Sequence, residues 1–112
     1  MFKTKEEMIK QVEGNVRGGP GEITRIKWPE ALPPHTTVLA TIVLKPGDGI
    51  GYHAHDENYE IYYTLSGELE YNDNGSIFIG KAGDALITGG GQSHAVTNRS
   101  DGEASFLAIV VE

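Results

Sequence analysis

The stretch GDGIGYHAHDENYEIYYTLSG, residues 47–67, decides how the rest of the chain is read. It opens on glycine and aspartate, sets His53 and His55 on either side of Ala54, breaks at Asp56-Glu57-Asn58, and resumes at Tyr59 before closing on Gly67. Tyr, Ile and Thr favour a pleated strand and Asp-Glu-Asn a reversal, so the stretch reads as two strands joined by a turn. Side chains two apart on a strand share a face, which sends His53 and His55 the same way, about 6 to 7 Å apart along the chain. On the second strand the same alternation groups Glu60, Tyr62 and Thr64 on one face and Ile61, Tyr63 and Leu65 on the other.

The texture continues outward on both sides. From Glu22 onward, runs rich in Val, Ile, Thr and Tyr are cut every few residues by Gly, Pro, Asn or Asp, and no helical period returns. Strands are expected near residues 22–28, 36–44, 51–55, 59–65, 68–72, 76–79, 84–88, 93–98 and 104–111. Asp73-Asn74-Gly75 marks a tight hairpin, because Asn-Gly supplies the positive φ angles such turns need. The fold class is therefore all-β, a sandwich or barrel. Before it, Thr4-Lys5-Glu6-Glu7 reads as a capping box opening a short N-terminal helix over residues 5–12, with Met8, Ile9 and Val12 on one face and a stop near Gly14. Gly18-Gly19-Pro20-Gly21 suits neither helix nor central strand and is a loop.

With 112 residues the chain has the length of a single domain, with residues 1–21 as lead-in and Gly-rich loop and residues 22–112 as the β-barrel. A formal charge of −7 repels phosphate backbones and anionic lipid, so neither nucleic acid nor membrane is expected as a partner. The absence of Cys excludes disulfides, thiolate metal sites and Cys nucleophiles. The opening MFKTKEEMIK carries acidic residues where a signal peptide needs an apolar core, which points to the cytoplasm. Neither a Gly-x-Ser-x-Gly elbow nor a phosphate-binding Gly-x4-Gly-Lys loop occurs.

Chemistry concentrates in the histidines. Of four, at 35, 53, 55 and 94, His35 follows Pro33-Pro34 and reads as solvated. Glu60 lies just past the turn after the His pair, and His94 just past Gly89-Gly90-Gly91, a segment that lets backbones approach closely. Three imidazoles and one carboxylate would leave an octahedral ion two open positions. This set suits one divalent transition metal ion, Mn, Fe, Co, Ni or Zn, over Mg and Ca.

These residues resemble the cupins. The first cupin motif, Gly-x5-His-x-His-x4-Glu-x6-Gly, is matched by Gly47, His53, His55, Glu60 and Gly67. The second, Gly-x5-Pro-x-Gly-x2-His-x3-Asn, is matched by Gly83, Gly91, His94 and Asn98, with Gly89 standing where the family has Pro. Fifteen residues, 68–82, separate the motifs, as in small single-domain members. The resemblance implies a cupin jelly-roll β-barrel holding a metal ion through His53, His55, Glu60 and His94. It also implies a homodimer, in keeping with the need of edge strands for cover.

Two functional classes follow. One is a metalloenzyme, a decarboxylase, dioxygenase or isomerase, acting on a small carboxylate, oxo acid or other oxygen-rich substrate chelated at the ion. The chain is similar to the oxalate decarboxylase group, whose members bind a dicarboxylate at manganese, although the second barrel and acid-bearing lid of those enzymes are not evident. The other is a module that binds metal and a small-molecule ligand without turnover. Tyr62 is a candidate proton donor near the ion, with core packing as its alternative role. Among the arginines 17, 25 and 99, Arg17 beside Gly18-Gly19 is the candidate to hold a substrate carboxylate, carried over the pocket by a mobile glycine segment. Tyr52, Tyr59 and Glu57 are candidates for the mouth.

Overall fold

The computed structural model describes residues 1–112 as ten strands in two antiparallel sheets. In chain order the strands are β1 (Ile9–Gly14), β2 (Glu22–Lys27), β3 (Thr36–Leu44), β4 (Gly49–Ala54), β5 (Tyr59–Ser66), β6 (Glu68–Asp73), β7 (Ser76–Lys81), β8 (Ala85–Gly89), β9 (Ser93–Thr97) and β10 (Ala104–Val111). The larger sheet runs β1-β2-β3-β10-β5-β8 and the smaller β4-β9-β6-β7, a jelly roll in which β10, β5, β8, β4 and β9 each pair with strands distant in sequence.

Period-two burial builds the interior. Along β10, Ala104, Phe106, Ala108 and Val110 are buried while the residues between them are only half-buried, and β5 buries Glu60, Tyr62 and Thr64 as its alternation requires. With Ile23, Ile42, Leu44, Leu69, Tyr71 and Val96 these side chains fill the space between the sheets. The β6–β7 hairpin turns at Asn74 and Gly75, with φ of 51° and 100°. Asn98, fully buried after β9, donates through Nδ2 to Leu44 O (2.9 Å) and Gly102 O (2.8 Å) and accepts at Oδ1 from Ser100 N and Oγ. It thereby ties the loop between β9 and β10 to the end of β3.

The N-terminus departs from expectation. In place of a helix over residues 5–12 there is a single 3-10 turn, Lys5–Glu7, after which the chain extends into β1. Glu7 does reach back to Thr4, accepting from its amide (3.3 Å) and its hydroxyl (3.2 Å). Residues 9–14 then pair with β2 in an unbroken register from Ile9↔Lys27 to Gly14↔Glu22. Met8, Ile9 and Val12 offer too narrow an apolar face to hold a helix against the barrel, whereas extension gives the backbone a full ladder.

A second 3-10 turn, Val16–Gly18, crosses over β4. Gly19 and Gly51 make this possible: a Cβ on Gly19 would lie 2.6 Å from Gly51 N, and one on Gly51 would strike the Arg17 carbonyl. The glycine segment is thus docked on the barrel by close backbone approach, not carried as a free arm.

Candidate metal centre

His53 on β4 and His94 on β9 are direct cross-strand partners, and a register shift between Ile50 and His53 turns the β4 side chains at this point. Beyond the end of β4 the pairing is continued by His55 N donating to Gln92 O (2.9 Å) and Gly91 N donating to His55 O (3.0 Å). The turn at residues 56–58 then returns the chain as β5, whose second residue is Glu60. Three strands thus bring together the four side chains matched to the family motifs.

Their ligating atoms converge. His53 Nε2 lies 3.2 Å from both His55 Nε2 and His94 Nε2, which are themselves 3.1 Å apart. Glu60 Oε1 is 3.1 Å from His55 Nε2 and 3.0 Å from His94 Nε2. One atom from each residue falls within 4.8 Å of all the others, so the cluster can hold a metal ion.

The second ring nitrogens explain the orientation. His53 Nδ1 meets Gly51 O at 2.7 Å, and His55 Nδ1 meets Asn58 Oδ1 at 2.7 Å. An acceptor at Nδ1 holds the proton there and turns the unprotonated Nε2 of each ring inward. The lone pairs that His53 and His55 turn inward face each other and the Glu60 carboxylate, and a cation at their centre would relieve that repulsion. The donor set therefore fits a divalent transition metal. His94 Nδ1 is buried without a partner, and its ring is fixed instead by stacking on Tyr62, with centroids 4.5 Å apart and planes at 17°.

Electrostatics agree with this picture. Burial lowers the His53 pKa below its usual 6.5, assisted by positive charge on His94, Arg17 and His55 and opposed by the Gly51 hydrogen bond. For Glu60, burial alone would raise the pKa, but hydrogen bonding and charge from His94, with the charge of His55, outweigh it and lower the value below 4.5. Burial, then the adjacent Glu60 charge, pushes the Tyr62 phenol well above 10, so it keeps its proton.

A cavity of about 200 Å³ opens on the cluster, lined on its polar side by Arg17, Arg25, Thr37, Asn58 and Tyr62 together with His53, His55 and Glu60. Its apolar wall comes from Val16, Val38, Ile42, Ile50, Ala108 and Val110. Tyr62, 2% exposed, packs against both His94 and Phe106. Arg17 is present at the cavity, held by the turn docked on β4. Tyr52 and Tyr59 are each 52% exposed and, like the exposed Glu57, do not line it. Their expected place at the mouth is not met, because Tyr52 alternates away from His53 and the Tyr59 ring lies over Gly89. His35 is exposed, and Arg99 pairs with Glu70 at the surface (2.9 Å). Asn58, within the turn of the first motif, was not legible as a cavity residue; Arg25, one of the three arginines considered, lines the cavity beside the preferred Arg17.

An all-β jelly roll with a three-histidine, one-carboxylate cluster facing its interior defines a cupin. The chain belongs to that family, whose "Cupin domain" matches residues 40–110. It is 34% identical over 113 residues to an "Oxalate-binding protein" of Thermotoga maritima, covering 99% of this chain and 93% of that one. A solved structure from Thermotoga maritima, described as a predicted oxalate decarboxylase, superposes with a TM-score of 0.90 at 33% identity, covering 99% of this chain and 98% of that one. At 17% identity the structure of KdgF from Halomonas sp. shares the fold, with a TM-score of 0.76 over 99% of this chain and 92% of that one. No helix of the chain is long and apolar enough to cross a membrane.

Proposed function

We propose that this chain is a metal-dependent cupin that takes a small carboxylate or oxo acid at an ion held by His53, His55, Glu60 and His94. The observation that carries the reading is the convergence of three imidazole Nε2 atoms and Glu60 Oε1 at about 3 Å beside a small cavity. When bound, the ion supplies Lewis acidity and, if redox-active, a route to dioxygen chemistry. Around it, Gly51 O and Asn58 Oδ1 orient two of the ligands, and Tyr62 presents a phenol that donates and does not act as a base. Arg17 offers its guanidinium to an anionic ligand. The oxalate-binding relative supports a carboxylate as ligand.

Binding without turnover is the second reading, and one feature favours it. Apart from the four clustered residues, no carboxylate or imidazole lines the cavity, so proton transfer at neutral pH has no obvious agent. The metal-loaded protein separates the two readings when offered oxalate and small oxo acids, with binding followed by calorimetry and turnover by carbon dioxide release and oxygen uptake. Saturable binding with neither gas signal selects the module; turnover lost in Glu60→Gln selects the enzyme. No binding of any carboxylate sinks the proposal.

Residues 1–112 are taken to act as a single domain, in the cytoplasm and as a homodimer. Support for pairing comes from β7 and β8, which end the two sheets and leave Ile77, Phe78, Ile79 and Ile87 exposed. Light scattering on the purified chain gives the mass that decides it.

A further inference from the structure

Three buried side-chain nitrogen or oxygen atoms of the chain have no hydrogen-bond partner: Arg25 Nε, Thr88 Oγ1 and His94 Nδ1. Arg25 Nε has a counter-charge close by, the Glu13 carboxylate 3.1 Å away. Thr88 Oγ1 and His94 Nδ1 have nothing, although both residues are fully buried. Both residues also border Glu60. Thr88 is its cross-strand partner on β8, which sets their Cβ atoms about 4.5 to 5.5 Å apart, and His94 Nε2 lies 3.0 Å from Glu60 Oε1. Thr88 and His94 stand at either end of the reversal that joins β8 to β9, closed by Gln92 N donating to Gly89 O (3.2 Å), and they point into the interior from opposite sheets.

The chemistry of the ring defines what His94 needs. Its Nε2 faces the cluster, so a metal taken there claims the Nε2 lone pair and leaves the ring proton on Nδ1. For His53 and His55 the Nδ1 atom has an acceptor, Gly51 O and Asn58 Oδ1, each at 2.7 Å. Among the three imidazoles, His94 alone has none in this conformation, whereas a metal-bound imidazole almost always donates from its second nitrogen. A hydroxyl accepts as well as donates, and Thr88 Oγ1 is the only uncommitted buried side-chain oxygen of the chain. Thr64, which faces inward from the neighbouring β5, already has its hydroxyl on that of Tyr71 (2.7 Å). At a position with no exposure, two residues after the buried Leu86, a valine would fill the same space without burying an unpaired hydroxyl. Rotation between staggered χ1 wells re-aims the threonine oxygen with no movement of the backbone.

Resting on the metal reading above, we infer that Thr88 is a positioning residue of the metal centre: its hydroxyl accepts a hydrogen bond from His94 Nδ1 and so fixes the tautomer that presents Nε2 to the ion. The test measures the Zn(II) affinity of wild type, Thr88→Val and Thr88→Ser by competition with a chelator, beside thermal unfolding of the same proteins without metal. Thr88→Val keeps the shape and loses the hydroxyl. It is expected to bind Zn(II) about tenfold to a hundredfold more weakly, while its metal-free midpoint equals or exceeds that of wild type. Thr88→Ser keeps the hydroxyl and loses a methyl group, so its metal-free midpoint falls but its affinity stays within about threefold of wild type. A threonine that served packing alone would give the opposite order, with serine the more damaging change. Equal affinity in wild type and Thr88→Val, or a loss in Thr88→Ser as large as in Thr88→Val, overturns the inference while the metal reading stands. A wild type that takes up no Zn(II) overturns the metal reading and the inference with it, a result distinct from either of those.

Discussion

His53 and His94 face each other across the β4–β9 ladder with their Nε2 atoms 3.2 Å apart. The ladder fixes the distance, since antiparallel partners hold their Cβ atoms about 4.5 to 5.5 Å apart. A metal ion between them would turn this enforced proximity into a stabilising contact. Added divalent transition metal should therefore raise the thermal midpoint of the metal-free protein. At a free concentration about 100 times Kd the gain is about 2.7 kcal/mol, worth roughly 10 °C or more for a chain of this length. A scan of wild type and His94→Ala with and without Mn or Ni checks this, and an equal shift in both would refute it.

The metal-free protein should lose stability on mild acidification. The folded-state pKa of His53 is held below 6.5, the value expected in the unfolded chain, so between the two the unfolded state binds more protons. The His53 contribution is fully present above pH 6.5 and is lost as pH falls through the folded pKa. Glu60, also depressed, adds a loss of the same sign below about pH 4.5. Urea midpoints of the metal-free protein should fall between pH 7.5 and pH 5, less steeply in His53→Gln. A flat profile in wild type would contradict the assignment.

At Gly89, which stands where the motif has proline, a side chain would run into the ring of Tyr59, its cross-strand partner. Gly89→Ala should cost about 1 to 3 kcal/mol, and much less in a Tyr59→Ala background. Denaturation of the four proteins in that cycle gives the coupling; a cost unchanged by removing the ring would mean the contact does not govern the choice.

Asn98→Ala should destabilise by about 2 to 4 kcal/mol, since it strips partners from Leu44 O and Gly102 O and from the Ser100 amide in one step. Metal affinity of the folded fraction should stay close to wild type, because Asn98 does not belong to the cluster. Urea unfolding with metal titration reads both effects, and a loss of metal without a loss of stability would reverse the assignment.

Nine of the ten strands were legible because period-two alternation and turn residues are local signals, and Asn74-Gly75 is among the strongest of them. β1 was missed because its pairing with β2 is a tertiary decision: Thr4 and Glu7 announce a helix start, yet the ladder outweighs it after one turn. The His53, His55, Glu60 and His94 cluster was visible through motif spacing. The orienting role of Asn58 was not, since it depends on how the turn folds back on His55. Arg17 was placed near the pocket, but by a mobile glycine arm; what holds it there is the tight seating of Gly19 against Gly51, which no local pattern of glycines distinguishes from flexibility.

The most direct test of the metal account is elemental analysis of the purified protein after reconstitution, beside His55→Ala and Glu60→Gln. The account predicts about one divalent transition metal ion per chain in the wild type, and less than about a tenth of that in His55→Ala. A wild type that retains no metal, or a His55→Ala protein that retains as much as wild type, would contradict it.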